Sequence, residues 1–259
     1  PIKSSAASDV YKRQYRKGVF EVIAGNRRLE VSQDGEWCRF DCEQEEFDNF
    51  WRDYFDLDTD YSQYLERINP RDIYLVQAAE AGWGIRILQQ DLWEMIATFL
   101  ISQQNNITRI RRCVENICEK YGQRCEDENG IVYYGFPEPQ ALAELDENAL
   151  MECNLGYRSK YVVRTAKMIA SGEFDLEAVK HMSYSKAKPC LMTLFGVGEK
   201  VADCICLFSL HQLQSFPVDT HIRQALDAHY KRGFPNRRYR GIQAVSYTHL
   251  RAHETLSDL

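Results

Sequence analysis

The spacing of apolar residues changes once along the chain, and this change limits the fold more than any other feature. From Tyr15 to Cys42 apolar and polar residues alternate, as they do in strands with one buried face. Gly25–Asn26 and Asp34–Gly35 predict turns within this segment, which indicates an antiparallel meander. Further on the spacing becomes helical, and after Asp91 nearly every segment has the pattern of helix or loop. The sequence therefore predicts an α+β protein that is mostly α-helical, with a small N-terminal antiparallel β-sheet part.

The two ends of the chain do not continue the patterns beside them. Residues 4–14 and 245–259 resemble translated sequencing-adapter read-through, and an ordinary pair of polar tails is the alternative. On the first interpretation the natural chain begins before Tyr15 and continues past Ala244. The predicted organisation is then a tail at 1–14, an incomplete N-terminal α+β domain at 15–90, a helical domain at 91–244 and a second tail at 245–259.

Composition excludes several classes of protein. Hydrophobic residues make up 44% of the 259 and aromatic residues 12%, which is enough apolar surface to exclude disorder as the main state. No apolar run reaches the ~18 residues that a membrane-spanning helix needs. Nine cysteines, an odd number, do not form a disulfide scaffold and indicate a reducing compartment, so we expect a cytoplasmic protein in a bacterial-type cytosol or nucleoid. The net charge of −6 argues mildly against a nucleic-acid partner.

Two glycines between predicted helices form the most informative local pattern. The pattern places Gly196, Val197 and Gly198 in a tight turn with positive φ, directly before an apolar helix. Backbone N–H groups at such a helix N-terminus suit a phosphate oxygen, and they need no basic side chain nearby. An acidic protein could therefore bind DNA locally at this turn. A plain helix–turn–helix connector is the alternative, because G-x-G alone is a weak signal.

The motif G-V-G-E-K-V-A-D-C-I-C at 196–206, followed by P-V-D-T-H at 217–221, resembles the helix-hairpin-helix DNA glycosylase superfamily. Within it the chain is similar to the 8-oxoguanine DNA glycosylase family, from about Tyr15 to Ala244. The resemblance implies a helix-hairpin-helix glycosylase domain, no cofactor, no membrane association, and a monomer. Its partner would be double-stranded DNA that contains an oxidised purine or an abasic site. Two specificity elements of the family, an early G-Q-x-F-R-W strand and a final helix, would lie outside this chain.

The resemblance places the two catalytic groups at Lys200 and Asp219. Excision of a base leaves positive charge on the sugar, which a carboxylate stabilises, and a lysine amine can form a Schiff base that permits β-elimination. The implied activity is that of a bifunctional glycosylase and abasic-site lyase for 8-oxoguanine opposite cytosine. From the residues alone, a solvated lysine and a helix N-cap are the alternatives. His221 resembles the family histidine that contacts a phosphate, with an ordinary first-turn histidine as the alternative.

Two further segments resemble the family loops that read the base opposite the lesion. In the first segment, Q-Q-N-N-I-T-R at 103–109, the resemblance points to Asn105 and Arg109. Asn105 has a helix N-cap as its alternative role, and Arg109 is a candidate donor to cytosine. The family usually has asparagine where Gln104 stands. In L-G-Y-R at 155–158 the resemblance assigns Tyr157 to wedging into the base stack and Arg158 to contact with the estranged cytosine. A core tyrosine is the alternative for Tyr157.

The lesion pocket is the least determined part of the sequence. Cys204 matches the family cysteine that lies against the flipped purine, and Phe208 either lines the same pocket or only packs in the core. The cysteine spacings fit neither an iron–sulfur cluster nor a structural zinc site, so we expect no metal. Phe195 stands where many hairpins of the superfamily have proline.

Two other functions remain open from the sequence. One is a broader purine-lesion glycosylase or abasic-site lyase, although Lys200 argues against the alkylbase group, whose members generally lack that lysine. The other is a non-catalytic helix-hairpin-helix DNA-binding module, in which Lys200 would be incidental.

Overall fold

The N-terminal part of the protein is a four-stranded antiparallel meander in the order β1-β2-β3-β4, as the alternation predicts. The computed structural model describes residues 13–16, 18–35, 37–231, 233–235, 237–239, 241 and 243–244. The strands are β1 (Arg13–Arg16), β2 (Val19–Ala24), β3 (Arg27–Asp34) and β4 (Trp37–Asp41). β1 includes the last two residues of the predicted N-terminal tail, and the rest of both predicted tails lies outside the described residues.

The predicted turn at Gly25–Asn26 joins β2 to β3. Both residues have positive φ, +53° and +57°, which suits the tight turn of a two-residue hairpin loop. A Cβ on Gly25 would lie 2.9 Å from the Phe50 ring, so glycine is required there for space as well. The turn prediction is confirmed.

One face of the sheet forms a small hydrophobic core with a short aromatic helix. That helix runs through three consecutive parts: α1 (Gln44–Glu46), a π-helical turn (Phe47–Trp51) and α2 (Arg52–Tyr54). Two alternate residues in each of β2 and β3 are buried, and their spacing of two is the one that the alternation predicts. The buried members of this core are Val22, Ala24, Leu29, Val31, Trp51, Tyr54, Phe55 and Leu88.

The rest of the described chain is mainly helical and surrounds α5 (Leu92–Ser102), of whose eleven residues ten are buried. A short hairpin of β5 (Arg124–Glu126) and β6 (Val132–Tyr134) interrupts the helices. Single turns of 3-10 helix lie at Ala149–Cys153 and Gly156–Arg158. The other helices are α3 (Ser62–Leu65), α4 (Ile73–Ala81), α6 (Ile107–Tyr121), α7 (Pro139–Ala143), α8 (Ser159–Ala170), α9 (Leu176–Lys180), α10 (Tyr184–Leu191), α11 (Glu199–Phe208) and α12 (Thr220–His229).

The division between the two hydrophobic cores does not coincide with the predicted boundary between the two domains. Leu75 and Ala78 of α4 belong to the core of the helical part, although they precede the predicted boundary at residue 91. Arg28 of β3 links the two parts, since its guanidinium bonds Asp127 at 2.8 Å beyond α6. Among the described residues, no helix is long and apolar enough to cross a membrane.

Candidate active site and nucleic-acid interface

The predicted hairpin is present and joins α10 to α11. Gly196 has a φ of +91°, and the N–H of Val197 donates to the carbonyl of Leu194 at 3.1 Å, which closes the turn. A Cβ on Gly196 would lie 3.1 Å from the ring of Tyr161. The left-handed backbone therefore favours glycine at this position, and a Cβ there would also press on the Tyr161 ring of α8.

Gly198 differs from Gly196 in conformation and surroundings. Its φ is −95° with an extended ψ of 178°, so only Gly196 of the two glycines has the positive φ that the pattern allows. The physical reason is that Gly198 is the N-cap of α11, a position that takes extended backbone, and its carbonyl accepts the N–H of Ala202 at 2.9 Å. No side chain caps the helix, and nothing lies within 4 Å of the place where a Cβ would stand. An exposed, uncapped helix N-terminus of this kind suits an anion.

Lys200 lies in the first turn of α11, beside this uncapped N-terminus. Its side chain is exposed, whereas all residues from Val201 to Phe208 are buried. Lys200 therefore comes directly after the open glycine turn and before the buried part of the helix.

Asp219 begins the next helix, α12, and its Oδ1 accepts the N–H of Ile222 at 2.8 Å. The predicted capping role is thereby confirmed, and the cap fixes the carboxylate at the start of the helix. The side chain is half-buried. The backbone of His221 belongs to the first turn of α12, but its side chain lies outside the described part of the chain.

The loop between α5 and α6 contacts the hairpin directly. The side-chain amide of Gln103 donates to the carbonyl of Gly196 at 2.7 Å, and Gln104 has a left-handed φ of +46°. The N-cap of α6 is Asn106, whose Oδ1 accepts the N–H of Arg109 at 2.9 Å. Capping by Asn105 is therefore a wrong prediction. The left-handed Gln104 brings the Asn105 amide back onto the carbonyl of Ile101, at 3.1 Å, and leaves the cap to the next residue.

Arg158 is buried beneath that loop, with 3% of its surface exposed. Its Nε and Nη2 donate to the carbonyl of Gln103 at 2.8 and 2.6 Å, and Nη2 also donates to the carbonyl of Gln104 at 2.9 Å. The prediction that this guanidinium is presented to an estranged cytosine does not agree with the structure. The backbone carbonyls after α5 accept the N–H donors of Arg158 that the prediction assigned to the cytosine. A buried guanidinium needs hydrogen-bond partners of this kind.

Removal of the Arg158 guanidinium should destabilise the protein. Arg158→Met leaves two loop carbonyls without their charged donor, so we expect the free energy of unfolding to fall by about 3 kcal/mol in urea denaturation. The matched control is Arg164→Met, since the exposed Arg164 hydrogen-bonds the Glu147 carboxylate, at 2.7 Å, and holds no backbone carbonyl of the loop. That variant should unfold like the parent. Equal losses in both variants would contradict the loop-holding role.

Tyr157 and Arg109 are the exposed members of this interface. Tyr157 is 46% exposed and its ring lies 4.5 Å from the Arg158 guanidinium carbon. Edge-to-face contacts join it through Tyr161, at 5.7 Å, to Phe195 on the hairpin, at a further 5.0 Å. Arg109 is exposed, with Nη2 donating to the carbonyl of Asn154 at 3.2 Å. The hairpin, the 103–106 loop and the 154–158 segment thus form one continuous surface.

Cys204 and Phe208 lie deeper in α11, with 3% and 2% of their surfaces exposed. Phe208 stacks on Phe99 of α5 with ring centroids 6.2 Å apart, which is the packing alternative of the prediction. A role in the lesion pocket stays a prediction for both residues. Within the described residues no group of three or more His, Cys, Asp or Glu side chains could hold a metal ion.

The sequence prediction missed Asp203, a nearly buried carboxylate on α11. Its Oδ1 accepts the hydroxyl of Tyr184 at 2.6 Å, and its Oδ2 accepts the Lys188 amine at 3.0 Å. Burial, and secondly the hydrogen bond to Asp203, raise the pKa of Tyr184, so that its hydroxyl stays protonated as the donor. The signal in the sequence is one acidic residue inside the apolar run V-A-D-C-I-C-L-F, where a charge needs partners.

Comparison with known proteins agrees with this arrangement. The family model described as 8-oxoguanine DNA glycosylase, N-terminal domain, matches residues 5–96, and that of the HhH-GPD superfamily base excision DNA repair protein matches residues 97–232. The two matches meet within α5. The chain belongs to the 8-oxoguanine DNA glycosylase family of the helix-hairpin-helix base excision repair superfamily.

Three relatives show the extent of the similarity. The chain is 32% identical to an N-glycosylase/DNA lyase of Saccharomyces cerevisiae, over 69% of this chain and 50% of that protein. It is 32% identical to the N-glycosylase/DNA lyase OGG1 of Arabidopsis thaliana, over 66% of this chain and 48% of that protein. The solved Clostridium acetobutylicum 8-oxoguanine glycosylase/lyase, in complex with dsDNA containing cytosine opposite 8-oxoG, has a TM-score of 0.89 at 32% identity, covering 98% of this chain and 90% of that one. The chain spans about half the length of these two curated relatives.

Proposed function

We propose that this protein excises 8-oxoguanine opposite cytosine from double-stranded DNA and then cleaves the strand at the abasic site. The observation that carries the proposal is the position of Lys200, exposed in the first turn of α11 beside an uncapped helix N-terminus. A phosphate held at that N-terminus brings a nucleotide next to the amine. Similarity to relatives named as glycosylases and lyases supports the same chemistry.

The reaction needs a nucleophile, and Lys200 supplies it. The neutral amine attacks C1′ of the flipped nucleotide, and the C1′–N bond breaks with its electron pair going to the base, which leaves after it takes up a proton. Opening of the sugar ring gives a protonated Schiff base between Nζ and C1′. Loss of a proton from C2′ then expels the 3′ phosphate, and the strand is cut 3′ to the abasic site.

Asp219 would stabilise the positive charge that develops on the sugar. Its carboxylate already caps α12 through Oδ1, so it is held in place before substrate binds. Because the carboxylate is already fixed, no energy is spent on moving it during the reaction. Its interaction with the sugar is strongest in the transition state, where the positive charge develops. The second oxygen of the carboxylate can also assist the proton transfers.

The surface formed by the hairpin and the two loops fits a duplex with one flipped base. Flipping costs a few kcal/mol, and an aromatic wedge fills the vacated space. We assign the wedge to Tyr157, which is exposed, and the donor to the estranged cytosine to Arg109. Arg158 supports both from beneath by holding the carbonyls of Gln103 and Gln104.

A carboxylate placed at the hairpin should separate stability from DNA binding. Gly198→Asp puts a good N-cap residue on α11, and its Cβ enters open space, so the protein should unfold at or above the parent's temperature. The same carboxylate occupies the amides that would hold a phosphate, so we expect DNA binding to weaken about tenfold in a fluorescence anisotropy titration. Unchanged affinity would contradict phosphate binding at α11.

The proposed activity is tested with single-turnover assays on duplexes that contain 8-oxoguanine, uracil or an abasic site opposite each of the four bases. We expect excision and nicking of the 8-oxoguanine duplex, fastest opposite cytosine. Nicking of the abasic duplex alone would replace the proposal with a lyase. Binding without cleavage of any duplex would replace it with a non-catalytic DNA-binding module.

We also propose that the protein acts as a monomer in the cytoplasm. All nine cysteines lie in the part of the chain that the structure describes and none forms a disulfide there, in keeping with a reducing compartment. Light scattering coupled to size-exclusion chromatography should give a mass near 30.2 kDa, and twice that mass would contradict the monomer.

A further inference from the structure

We propose that Asp203 is a positioning residue, which acts with Ser215 to hold the helix of Lys200 and the segment before Asp219 in one fixed arrangement. This inference rests on the proposed function, because it assigns a purpose to the geometry between those two groups. Neither Asp203 nor Ser215 belongs to the surface that would touch DNA, since 7% and 0% of their surfaces are exposed.

Ser215 lies in the segment that joins α11 to α12, and its side chain contacts α11. Its hydroxyl donates to the backbone carbonyl of Asp203 at 2.7 Å and lies 3.3 Å from the Asp203 carboxylate. Asp203 follows Lys200 by less than one turn of α11, and Ser215 precedes Asp219 by four residues. Few rotatable bonds therefore separate the Ser215–Asp203 contact from either predicted catalytic group. Pro217, which is buried, further restricts the backbone between Ser215 and Asp219.

The other partners of Asp203 come from α10, on the far side of the hairpin. Tyr184 and Lys188 each donate to one carboxylate oxygen, at 2.6 and 3.0 Å. The Lys188 amine balances the negative charge, so the carboxylate is both paired and hydrogen-bonded inside the protein. α10, α11 and the segment that leads to Asp219 therefore meet at one residue, through both its carboxylate and its backbone carbonyl.

The length of the α11–α12 connection makes such a restraint necessary. Residues 209–219 contain no helix or strand, and a connection of that length has many alternative conformations. Several other contacts restrict it, among them the N–H of Gln212 on the carbonyl of Cys206 at 3.0 Å and the ring of Phe216, which stacks on Phe234 with centroids 4.9 Å apart. A displacement of about 1 Å at a catalytic group can cost about 100-fold in rate. The Ser215–Asp203 contact ties the segment to α11 itself, four residues before the carboxylate.

The experiment is a double-mutant cycle between Ser215→Ala and Asp219→Asn. Excision of 8-oxoguanine opposite cytosine is measured under single-turnover conditions for the parent, each single variant and the double variant, with melting temperature and DNA affinity for each. Ser209→Ala is the matched control, because Ser209 begins the same connection and its buried hydroxyl has no hydrogen-bond partner.

We expect Ser215→Ala to lower the excision rate about tenfold in the parent but less than twofold in the Asp219→Asn background, because it acts through Asp219. DNA affinity should stay within twofold of the parent, and Ser209→Ala should have the parent's rate. Asp203→Asn keeps the shape and the Tyr184 bond but turns an N–H donor toward the Lys188 amine, so it should lower the excision rate with the same dependence on Asp219.

A purely structural role predicts the same fold-loss in both backgrounds, and that result would overturn the positioning role. Loss of activity in Ser209→Ala to the same extent as in Ser215→Ala would overturn it as well. Absence of excision by the parent protein would instead contradict the proposed function, so the two failures are distinguishable.

Discussion

Lys200→Gln is expected to lose nicking and covalent trapping by borohydride, while its fold and its affinity for DNA stay those of the parent. The amide cannot form a Schiff base with C1′, so β-elimination has no intermediate to act on. We expect the nicking rate on an abasic duplex to fall on the order of 1,000-fold or more. The side chain is exposed, so the melting temperature should not change.

The matched control for this variant is Lys167→Gln, an exposed lysine near the end of α8. It removes the same charge and should retain full trapping. Nicking by Lys200→Gln at the parent's rate would show that another amine forms the adduct, and would remove the observation on which the proposed function depends.

Asp219→Asn is expected to lower excision about 100-fold without destabilising the protein. Asparagine caps a helix as well as aspartate does, so the bond to the N–H of Ile222 can be retained. What is lost is the negative charge that would face the sugar in the transition state. Single-turnover excision and thermal unfolding, measured on the same preparation, separate the two effects.

Asp219→Ala is the companion variant, because it removes both the charge and the cap. It should lose activity to the same extent as Asp219→Asn and also lose about 1 kcal/mol of stability. If Asp219→Asn kept the parent's rate while Asp219→Ala did not, the carboxylate would have a capping role only.

The fold could be predicted from the sequence wherever local pattern decides the structure. The alternation in residues 15–42 gave the meander and its turn at Gly25–Asn26, because burial of one sheet face imposes a period of two. The glycine pair likewise predicted the hairpin. The conformation of Gly198 could not be read from the same pattern, because glycine can adopt both the extended backbone of an N-cap and the left-handed backbone of a turn.

The site was predicted less completely, because several of its features depend on contacts distant in the sequence. Arg158 is held by hydrogen bonds to carbonyls about 55 residues earlier in the chain, and a local sequence pattern contains no sign of contacts at that distance. Asn105 and Asn106 are chemically identical candidates for the cap, and the left-handed Gln104 decides between them. The role of Asp203 required the positions of α10 and Ser215.

In the proposed mechanism the amine of Lys200 becomes covalently linked to C1′ of the damaged nucleotide. The most direct measurement is mass spectrometry of the parent protein after borohydride reduction on a duplex that carries 8-oxoguanine opposite cytosine. We expect one adduct, on the proteolytic peptide that contains Lys200. Binding to the duplex with no adduct, or an adduct on a different lysine, would contradict it.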